Sequence, residues 1–257
     1  MQIFRCQLTL MERTFFSSRE VGNFYQTEPF IGNYALCYAL GLVAAPYHNR
    51  GKIHYAEHLA ALNEQGIYLT SASIVGQPRF AIEQFNAMPD SYWFAMGNNA
   101  LITKPDGWDA EQRGTAWYLS ERATGASRKV RTLNRPQIGS IKLLGIGNRA
   151  VFYVFTGDDS VRLPSYIRLG KWMSKARVLA EKVSFQTVAQ ESVQIRHLIN
   201  PLDLASGTVV HTFDLLSVHP VPLLRNAVIS GSFYRLSDGT LLPAGMRFGV
   251  EGLTAND

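Results

Sequence analysis

The sequence predicts an α+β protein that has many strands and few helices. Segments in which apolar and polar residues alternate recur along the chain, whereas helical periodicity is confined to two stretches in its first third. The chain has 257 residues, of which 46% are hydrophobic and 18% charged, and it contains no internal repeat. It is therefore long enough and apolar enough to bury a real core.

One strand and two helices are predicted at the start of the chain. Apolar residues alternate with polar ones in "FRCQLTL" (4–10), as expected of a half-buried strand. A first helix is predicted in "GNYALCYALGLV" (32–43) with Asn33 as its N-cap, and a second in "KIHYAEHLAALNEQG" (52–66) that ends at Gly66.

Strands dominate the rest of the prediction. The segment 104–136 is rich in Gly, Thr, Asn and Arg, which is typical of an insertion rather than of core. The stretch "SIKLLGIGNRAVFYVFTGDD" (140–159) predicts a hairpin that turns at 145–148. The remaining strand predictions are 67–70, 80–85, 183–187, 193–198, 208–216, and a hairpin in "FYRLSDGTLLP" that turns on Asp238 and Gly239.

The sequence predicts a cytoplasmic protein. The N-terminus "MQIFRCQLTL" lacks the order of a signal peptide, and the longest apolar run is shorter than the roughly 20 residues that cross a bilayer. Cys6 and Cys37 are far apart and neither is in a CxxC motif, which fits a reducing compartment and favours neither a disulfide scaffold nor a zinc site.

Positive charge is concentrated in one window of the sequence. Between Arg122 and Ala180 the chain carries twelve cations and two acids, a net charge of +10, whereas the other residues together carry −5. A polyanion-binding surface needs such a concentration, because phosphate neutralisation supplies affinity that does not depend on base sequence. A solvated basic surface without a partner is the plain alternative.

The most basic short stretch is "SYIRLGKWMSKARV" (165–178), which holds four cations and no acid. If it is helical from Leu169 onward, Lys171 and Lys175 are four residues apart and share one face. We then expect both lysines to contact phosphate and the ring of Trp172 to lie in the core, although stacking of Trp172 on a base is the alternative.

No motif predicts an enzyme, a metal or a cofactor. The stretch "HYAEH" matches H-x-x-E-H at His54, Glu57 and His58, but a five-residue match arises easily by chance and a third ligand is missing. "GIGN" (145–148) lacks the ending of a phosphate loop. Gly245, Gly249 and Gly252 fit either ordinary turns or a close approach to nucleic acid.

Two blocks of sequence resemble a known family. "FFSSREVGNFYQTEP" with "GNYALCYALGL", and then "SYIRLGKWMSK", are similar to the type I-D CRISPR member of the Cas-five group, a repeat-associated mysterious protein. The resemblance implies a ferredoxin-like, RRM-related palm with a protruding thumb. It also implies a subunit that caps the 5′ handle of crRNA in a Cascade surveillance complex.

The resemblance divides the chain into a first palm part (1–103), a basic thumb (104–139), and a palm completion with a β-rich C-terminal region (140–257). It implies RNA contacts by eleven residues. These are Ser18, Arg19, Asn33, Arg122, Arg128, Lys129, Arg131, Arg135, Arg168, Lys171 and Lys175. Since the RNP aromatic signature is not evident on the first strand, base stacking on the sheet face is not expected.

The resemblance further implies contacts with the repeating backbone subunit and the large subunit near the PAM end, with target DNA there as a further candidate partner. Because the longest apolar run is too short to cross a bilayer, no membrane partner is expected. Relatives in another CRISPR subtype cut repeat RNA without metal, using Tyr, His and Lys side chains. No such triad is visible here, so a non-catalytic subunit is the prediction and a repeat-RNA endonuclease the alternative.

Overall fold

The structure is a computed structural model that describes residues 1–22, 24–43, 54–86, 100–101, 104–114, 116–130, 133–134, 138–158 and 161–250. Within these ranges strands greatly outnumber helices, which confirms the α+β prediction. None of the helices in the described ranges is long and apolar enough to span a bilayer.

The helices are α1 (Asn33–Ala39) and α2 (Tyr55–Glu64). The strands of the first half are β1 (Gln2–Leu10), β2 (Arg19–Val21), β3 (Phe24–Gln26), β4 (Phe30–Ile31), β5 (Tyr68–Leu69), β6 (Ala72–Ile74), β7 (Phe80–Asn86), β8 (Ala100–Leu101), β9 (Trp108–Arg113), β10 (Ala116–Glu121), β11 (Ser127–Val130) and β12 (Leu133–Asn134). Those of the second half are β13 (Ile138–Leu144), β14 (Arg149–Thr156), β15 (Tyr166–Leu169), β16 (Ser174–Val183), β17 (Phe185–Gln194), β18 (Val209–Leu216), β19 (Leu223–Leu236) and β20 (Leu241–Pro243).

The central sheet is built around β1. Its order is β15-β16-β1-β14-β6-β4, with β5 also paired to β14. The alternation predicted for 4–10 is confirmed, because Cys6, Leu8 and Leu10 are buried while the residues between them are half-buried. The buried face packs with Leu36 and Cys37 of α1 and with Leu59 of α2 to form the main core.

Both helices lie where the sequence predicts them, with one correction. Gly32, not Asn33, is the N-cap of α1, and it makes no side-chain cap hydrogen bond. Asn33 is instead the first helical residue, and its side chain takes part in a buried hydrogen-bond network. Gly66 follows the end of α2 with a φ of 66°, a backbone conformation that glycine adopts without steric cost.

The turn at 145–148 is confirmed, but the prediction that it joins a hairpin is wrong. The strands before and after it belong to different sheets: β13 to the sheet β2-β3-β13-β7, and β14 to the central sheet. The turn packs on Arg79, whose carbonyl accepts hydrogen bonds from the Gly145 amide at 2.8 Å and from the Asn148 side chain at 2.7 Å. Beyond the turn, β1 takes β14 as its partner over eight residue pairs.

The helix predicted from Leu169 onward is also wrong. The segment forms a β-hairpin, with β15 and β16 paired antiparallel and a turn at 170–173. The burial pattern explains this, because Ile167 and Leu169 before the turn and Ala176 and Val178 after it alternate with more exposed residues. A period of two residues is that of a strand.

The C-terminal part forms a further antiparallel sheet of order β17-β19-β18, with β20 paired to β19. The predicted hairpin is confirmed: β19 and β20 pair at Arg235 and Leu241 on either side of the turn that contains Asp238 and Gly239. Ile195, Ile229 and Phe233 belong to a separate buried cluster of this part.

The chain divides into two compact units. One comprises 1–20, 25–81 and 142–257, and the other comprises 21–24 and 82–141. The second unit contains an antiparallel meander of order β11-β10-β9. The predicted thumb segment 104–139 falls within this second unit, and its role as a thumb stays a prediction.

Candidate nucleic-acid interface

A groove of about 930 Å³ lies along the edge strand β15 of the central sheet, within the larger unit. One wall is the hairpin β15–β16, another is α1, and 218–223 provides a third. The residues that line it include Ser17, Ser18 and Asn33, the cations Arg168, Lys171 and Lys175, and four tyrosines, Tyr34, Tyr38, Tyr55 and Tyr166. Five of the eleven predicted contact residues therefore line one groove.

The turn of the hairpin fixes where the cations lie. Gly170 has a φ of 69°, and a β-carbon there would overlap the carbonyl oxygen of Phe15. That same oxygen accepts a hydrogen bond of 2.9 Å from the Lys171 amide. The turn is therefore held against the segment that follows β1, and only glycine allows the backbones to approach so closely.

The three cations nearest the turn of the hairpin lie beside aromatic rings or a carboxylate. Lys171 Nζ is 5.8 Å from the centroid of the Phe15 ring, and Lys175 Nζ is 4.7 Å from that of Tyr166. Arg168 is directly opposite Lys175 in the register, so both side chains share a face. Cation–π contacts hold a charged group without neutralising it, and the lysines stay available to an anion.

Glu12 is the acid that sequence inspection missed in this cluster. Its Oε2 lies 3.6 Å from Arg168 Nη1 and accepts a hydrogen bond of 2.8 Å from the Lys175 amide. The pair is solvent-exposed, so it contributes little to stability, and phosphate can compete with Glu12 for the guanidinium. One acid against these three cations leaves the turn end of the hairpin electropositive.

Trp172 does not lie in the core, contrary to the prediction. Its side chain is 50% exposed at the tip of the turn, and its ring packs at 5.3 Å on the buried ring of Phe15. A turn replaces the expected helix, and Trp172 is exposed at its tip and is not among the residues that line the groove.

The N-terminal contact candidates have partners in the protein. Ser18 Oγ accepts a hydrogen bond from the Glu28 amide at 3.2 Å, and Arg19 Nε lies 2.8 Å from the Glu28 carboxylate. Ser18 lines the groove, whereas Arg19 is not among its lining residues. The arginine is paired, and its use as an RNA contact would require exchange of Glu28 for phosphate.

Asn33 belongs to a buried network centred on Asp203, a residue that sequence inspection did not single out. The Asp203 carboxylate accepts hydrogen bonds from Asn33 Nδ2 at 2.8 Å, the Tyr68 hydroxyl at 3.0 Å, Asn200 Nδ2 at 3.1 Å and the Gly249 amide at 3.0 Å. Burial raises the pKa of Asp203 to about 7, and the four donors oppose that rise. The network ties α1 and β5 to the C-terminal segment.

The C-terminal glycines pack against the protein itself. A β-carbon at Gly249 would overlap the carbonyl oxygen of Leu202, and one at Gly245 would lie 3.3 Å from the Ala205 β-carbon. At these two positions the close backbone approach is to the protein's own chain. Gly252 lies outside the described residues.

The basic residues of the smaller unit are largely balanced by acids. Between Lys104 and Val130 the sequence holds five cations and four acids. Arg122 forms two hydrogen bonds of 2.9 and 2.7 Å with Asp109, and Arg128 lies 5.1 Å from the centroid of the Trp108 ring. Lys129 is exposed on β11. Arg131 and Arg135 lie outside the described residues, so the structure does not place these two predicted contacts.

The window that gave +10 begins at Arg122 and so leaves out the acids of β9. In the folded meander these acids lie on strands next to the basic residues: Glu111 is opposite Tyr118, which in turn is opposite Lys129. The hairpin in the larger unit therefore concentrates cations more strongly than the meander does.

The residues of the H-x-x-E-H match do not converge on one point. His54 Nδ1 lies 3.6 Å from the Glu57 carboxylate, whereas His58 Nδ1 is 2.8 Å from the hydroxyl of Tyr38. Within the described ranges no three His, Cys, Asp or Glu side chains are grouped to hold a metal.

The many-stranded α+β fold and its cation-lined groove define a candidate nucleic-acid-binding protein. The family described as Type I-D CRISPR-associated protein Cas5/Csc1 matches residues 1–251. The chain belongs to this family and is a CRISPR effector-complex subunit, which confirms the resemblance seen in the sequence.

The chain was also compared with curated proteins and with solved structures. The chain matches no curated protein. It aligns with a chain of the "Cryo-EM structure of the Type III-B Cmr-beta bound to cognate target RNA and AMPPnP, state 1" at 10% identity and a TM-score of 0.41, over 88% of this chain and 86% of that chain.

Proposed function

We propose that this protein is a non-catalytic RNA-binding subunit that caps the 5′ handle of crRNA in a type I-D Cascade complex. In this proposal the larger unit contains the ferredoxin-like palm and the smaller unit acts as the thumb. The subunit contacts the repeating backbone subunit and the large subunit near the PAM end, close to target DNA.

The observation that carries the proposal is the groove beside β15. It brings Arg168, Lys171 and Lys175 together with the hydroxyls of Ser17 and Ser18, although these groups lie about 150 residues apart in sequence. Cations and hydroxyl donors are the groups that contact phosphate oxygens and position a nucleic-acid strand. The family to which the chain belongs supplies the CRISPR context.

Binding of handle RNA as a function of salt concentration tests the proposal. We expect the affinity to fall steeply between about 50 and 200 mM salt, because each neutralised phosphate releases counterions. The measurement is made on the purified chain and again on the assembled complex. Binding that does not respond to salt, or none in either preparation, contradicts the proposal.

A repeat-RNA endonuclease is the second candidate function, and one contact favours it. Tyr38 lines the groove, as Lys171 and Lys175 do, and its hydroxyl is hydrogen-bonded to His58. Against this role, burial raises the pKa of Tyr38, which disfavours the tyrosinate that a general base requires.

Incubation of repeat RNA with the protein and a chelator distinguishes the two functions. We expect no defined product. A single cut 5′ of the handle that is lost in His58→Ala or His54→Ala would instead establish the endonuclease; His48, another candidate for the same test, lies outside the described residues. Stoichiometric bound zinc in elemental analysis would support a metal site at His54, Glu57 and His58.

A further inference from the structure

The register of the central sheet places a row of side chains across four neighbouring strands. Residues that are directly opposite in antiparallel strands point to the same face. Thr9 of β1 is opposite Arg149 of β14 on one side and Arg177 of β16 on the other, and Arg177 is opposite Tyr166 of β15. With a strand spacing of about 4.8 Å, the row is about 14 Å long.

This row lies on the face of the sheet that the helices leave uncovered. The residues next to its members along the strands, such as Leu8, Ala150 and Ala176, point to the other face and are buried in the core that includes the helices. Arg149 and Arg177 are exposed, and neither makes an ion pair within the residues that the structure describes. Tyr166 is 52% exposed.

Acids lie near both ends of this face. Glu12 pairs with Arg168 near the turn of the hairpin, and two others lie at the far end. Glu181 is opposite Arg5 in the register, and Asp238 of the C-terminal turn interacts electrostatically with the same arginine. Tyr153 at this end packs on His197, so the C-terminal part covers it. The two acids at the far end thus offset Arg5, while Arg149 and Arg177 keep their full charge.

The row is continuous with the groove. Arg168 and Lys175 share the face of Arg177, two register positions closer to the turn, and both also line the groove. The hairpin β15–β16 therefore presents cations on two connected surfaces. A polyanion bound in the groove meets Arg177 and then Arg149 if its backbone crosses the strands.

We propose that the RNA backbone leaves the groove at Arg168 and Lys175 and crosses the open sheet face over Arg177 to Arg149. Thr9 and Gln7 lie beside this path and can hydrogen-bond to phosphate or ribose. The inference rests on the proposed function and adds to it a second set of phosphate contacts. These contacts require charge and not base stacking, so they need no aromatic signature on β1.

Handle-RNA binding by Arg149→Gln/Arg177→Gln tests this path. Each lost phosphate contact lowers the slope of log affinity against log salt by about one unit, so we expect the slope to fall by about two. The control is Arg196→Gln/Arg235→Gln, which removes the same charge from exposed positions on the C-terminal part. Arg149→Lys/Arg177→Lys keeps the charge and restores most of the affinity.

The outcomes separate this inference from the proposed function. An unchanged slope in Arg149→Gln/Arg177→Gln, together with a reduced slope in Lys171→Ala/Lys175→Ala, overturns the path and leaves the groove intact. Equal losses in the control pair also overturn it, because net charge alone then accounts for the effect. Loss of complex assembly with unchanged RNA binding would show that the face binds an acidic protein surface, which overturns it as well. Absence of any RNA binding by the wild-type protein overturns both proposals.

Discussion

Gly170 and Phe15 are packed so closely that the Phe15 carbonyl oxygen occupies the place where a β-carbon of residue 170 would lie. The same oxygen holds the Lys171 amide at 2.9 Å. Together with the hydrogen bond from the Lys175 amide to Glu12, this contact anchors the basic hairpin to the segment after β1 and helps to set the position of the cations on either side of the turn.

Gly170→Ala should therefore destabilise the protein. The left-handed backbone costs a non-glycine residue about 1–2 kcal/mol, and overlap with a backbone oxygen adds about 1–3 kcal/mol. Chemical denaturation measures the loss, and RNA affinity should fall with it because the turn shifts. The matched control is Gly76→Ala, which has a φ of 75° and open space around the α-carbon. Equal losses in the two variants would contradict the role of the Phe15 contact.

Trp172→Ala should cost clearly less than the 3–5 kcal/mol typical of a buried tryptophan, because half of the side chain is already exposed. The remaining loss comes from the contact with Phe15. Thermal unfolding of the variant measures this loss, and a decrease in stability of the size expected for a core residue would show that the turn is packed differently.

Asp203 should make stability depend on pH. Its pKa in the folded protein is raised to about 7, whereas an unfolded aspartate titrates near 3.8, so the folded state binds the proton more tightly. The contribution of this group to stability is thus fully present below pH 3.8 and is lost as the pH rises through 7. The free energy of unfolding should therefore decrease between pH 5 and pH 8 by the contribution of Asp203.

Asp203→Asn should remove the decline and destabilise the protein, because the new amide donors face groups that are themselves donors. Glu191→Gln alters an exposed carboxylate and is the control that should keep the wild-type pH dependence. A pH dependence identical in Asp203→Asn and the wild type would contradict the assignment to Asp203.

Local patterns in the sequence predict much of the fold. The alternation around β1, the stop of α2 at Gly66 and the Asp238–Gly239 turn each depend on residues close together in the chain, and all three are confirmed. The hairpin at 165–178 could have been recognised by the same means, because Ile167 and Leu169 alternate before a glycine. The spacing of Lys171 and Lys175 instead favoured a helix, although two lysines four apart carry no information about burial.

The site depends on contacts that no local pattern contains. Glu12 reaches the Lys175 amide across 163 residues, and Asn33 reaches Asp203 across 170. Likewise, β14 pairs with the distant β1, and it lies in a different sheet from β13, although only a short turn joins β13 to β14. A net charge summed over the window 122–180 includes only residues that are neighbours in sequence. It therefore counted the arginines of the meander together with those of the hairpin, and it left out acids such as Asp109, which pairs with Arg122.

The central claim is that the hairpin cations bind the backbone of handle RNA. Its most direct test is the salt dependence of RNA affinity for Lys171→Ala/Lys175→Ala against the wild type. Loss of two phosphate contacts should lower the slope of log affinity against log salt by about two units and weaken binding uniformly across handle sequences. Because both lysines are exposed or half-exposed, the variant should unfold at the wild-type temperature. An unchanged slope and affinity, with complex assembly intact, would show that the hairpin is only a solvated basic surface.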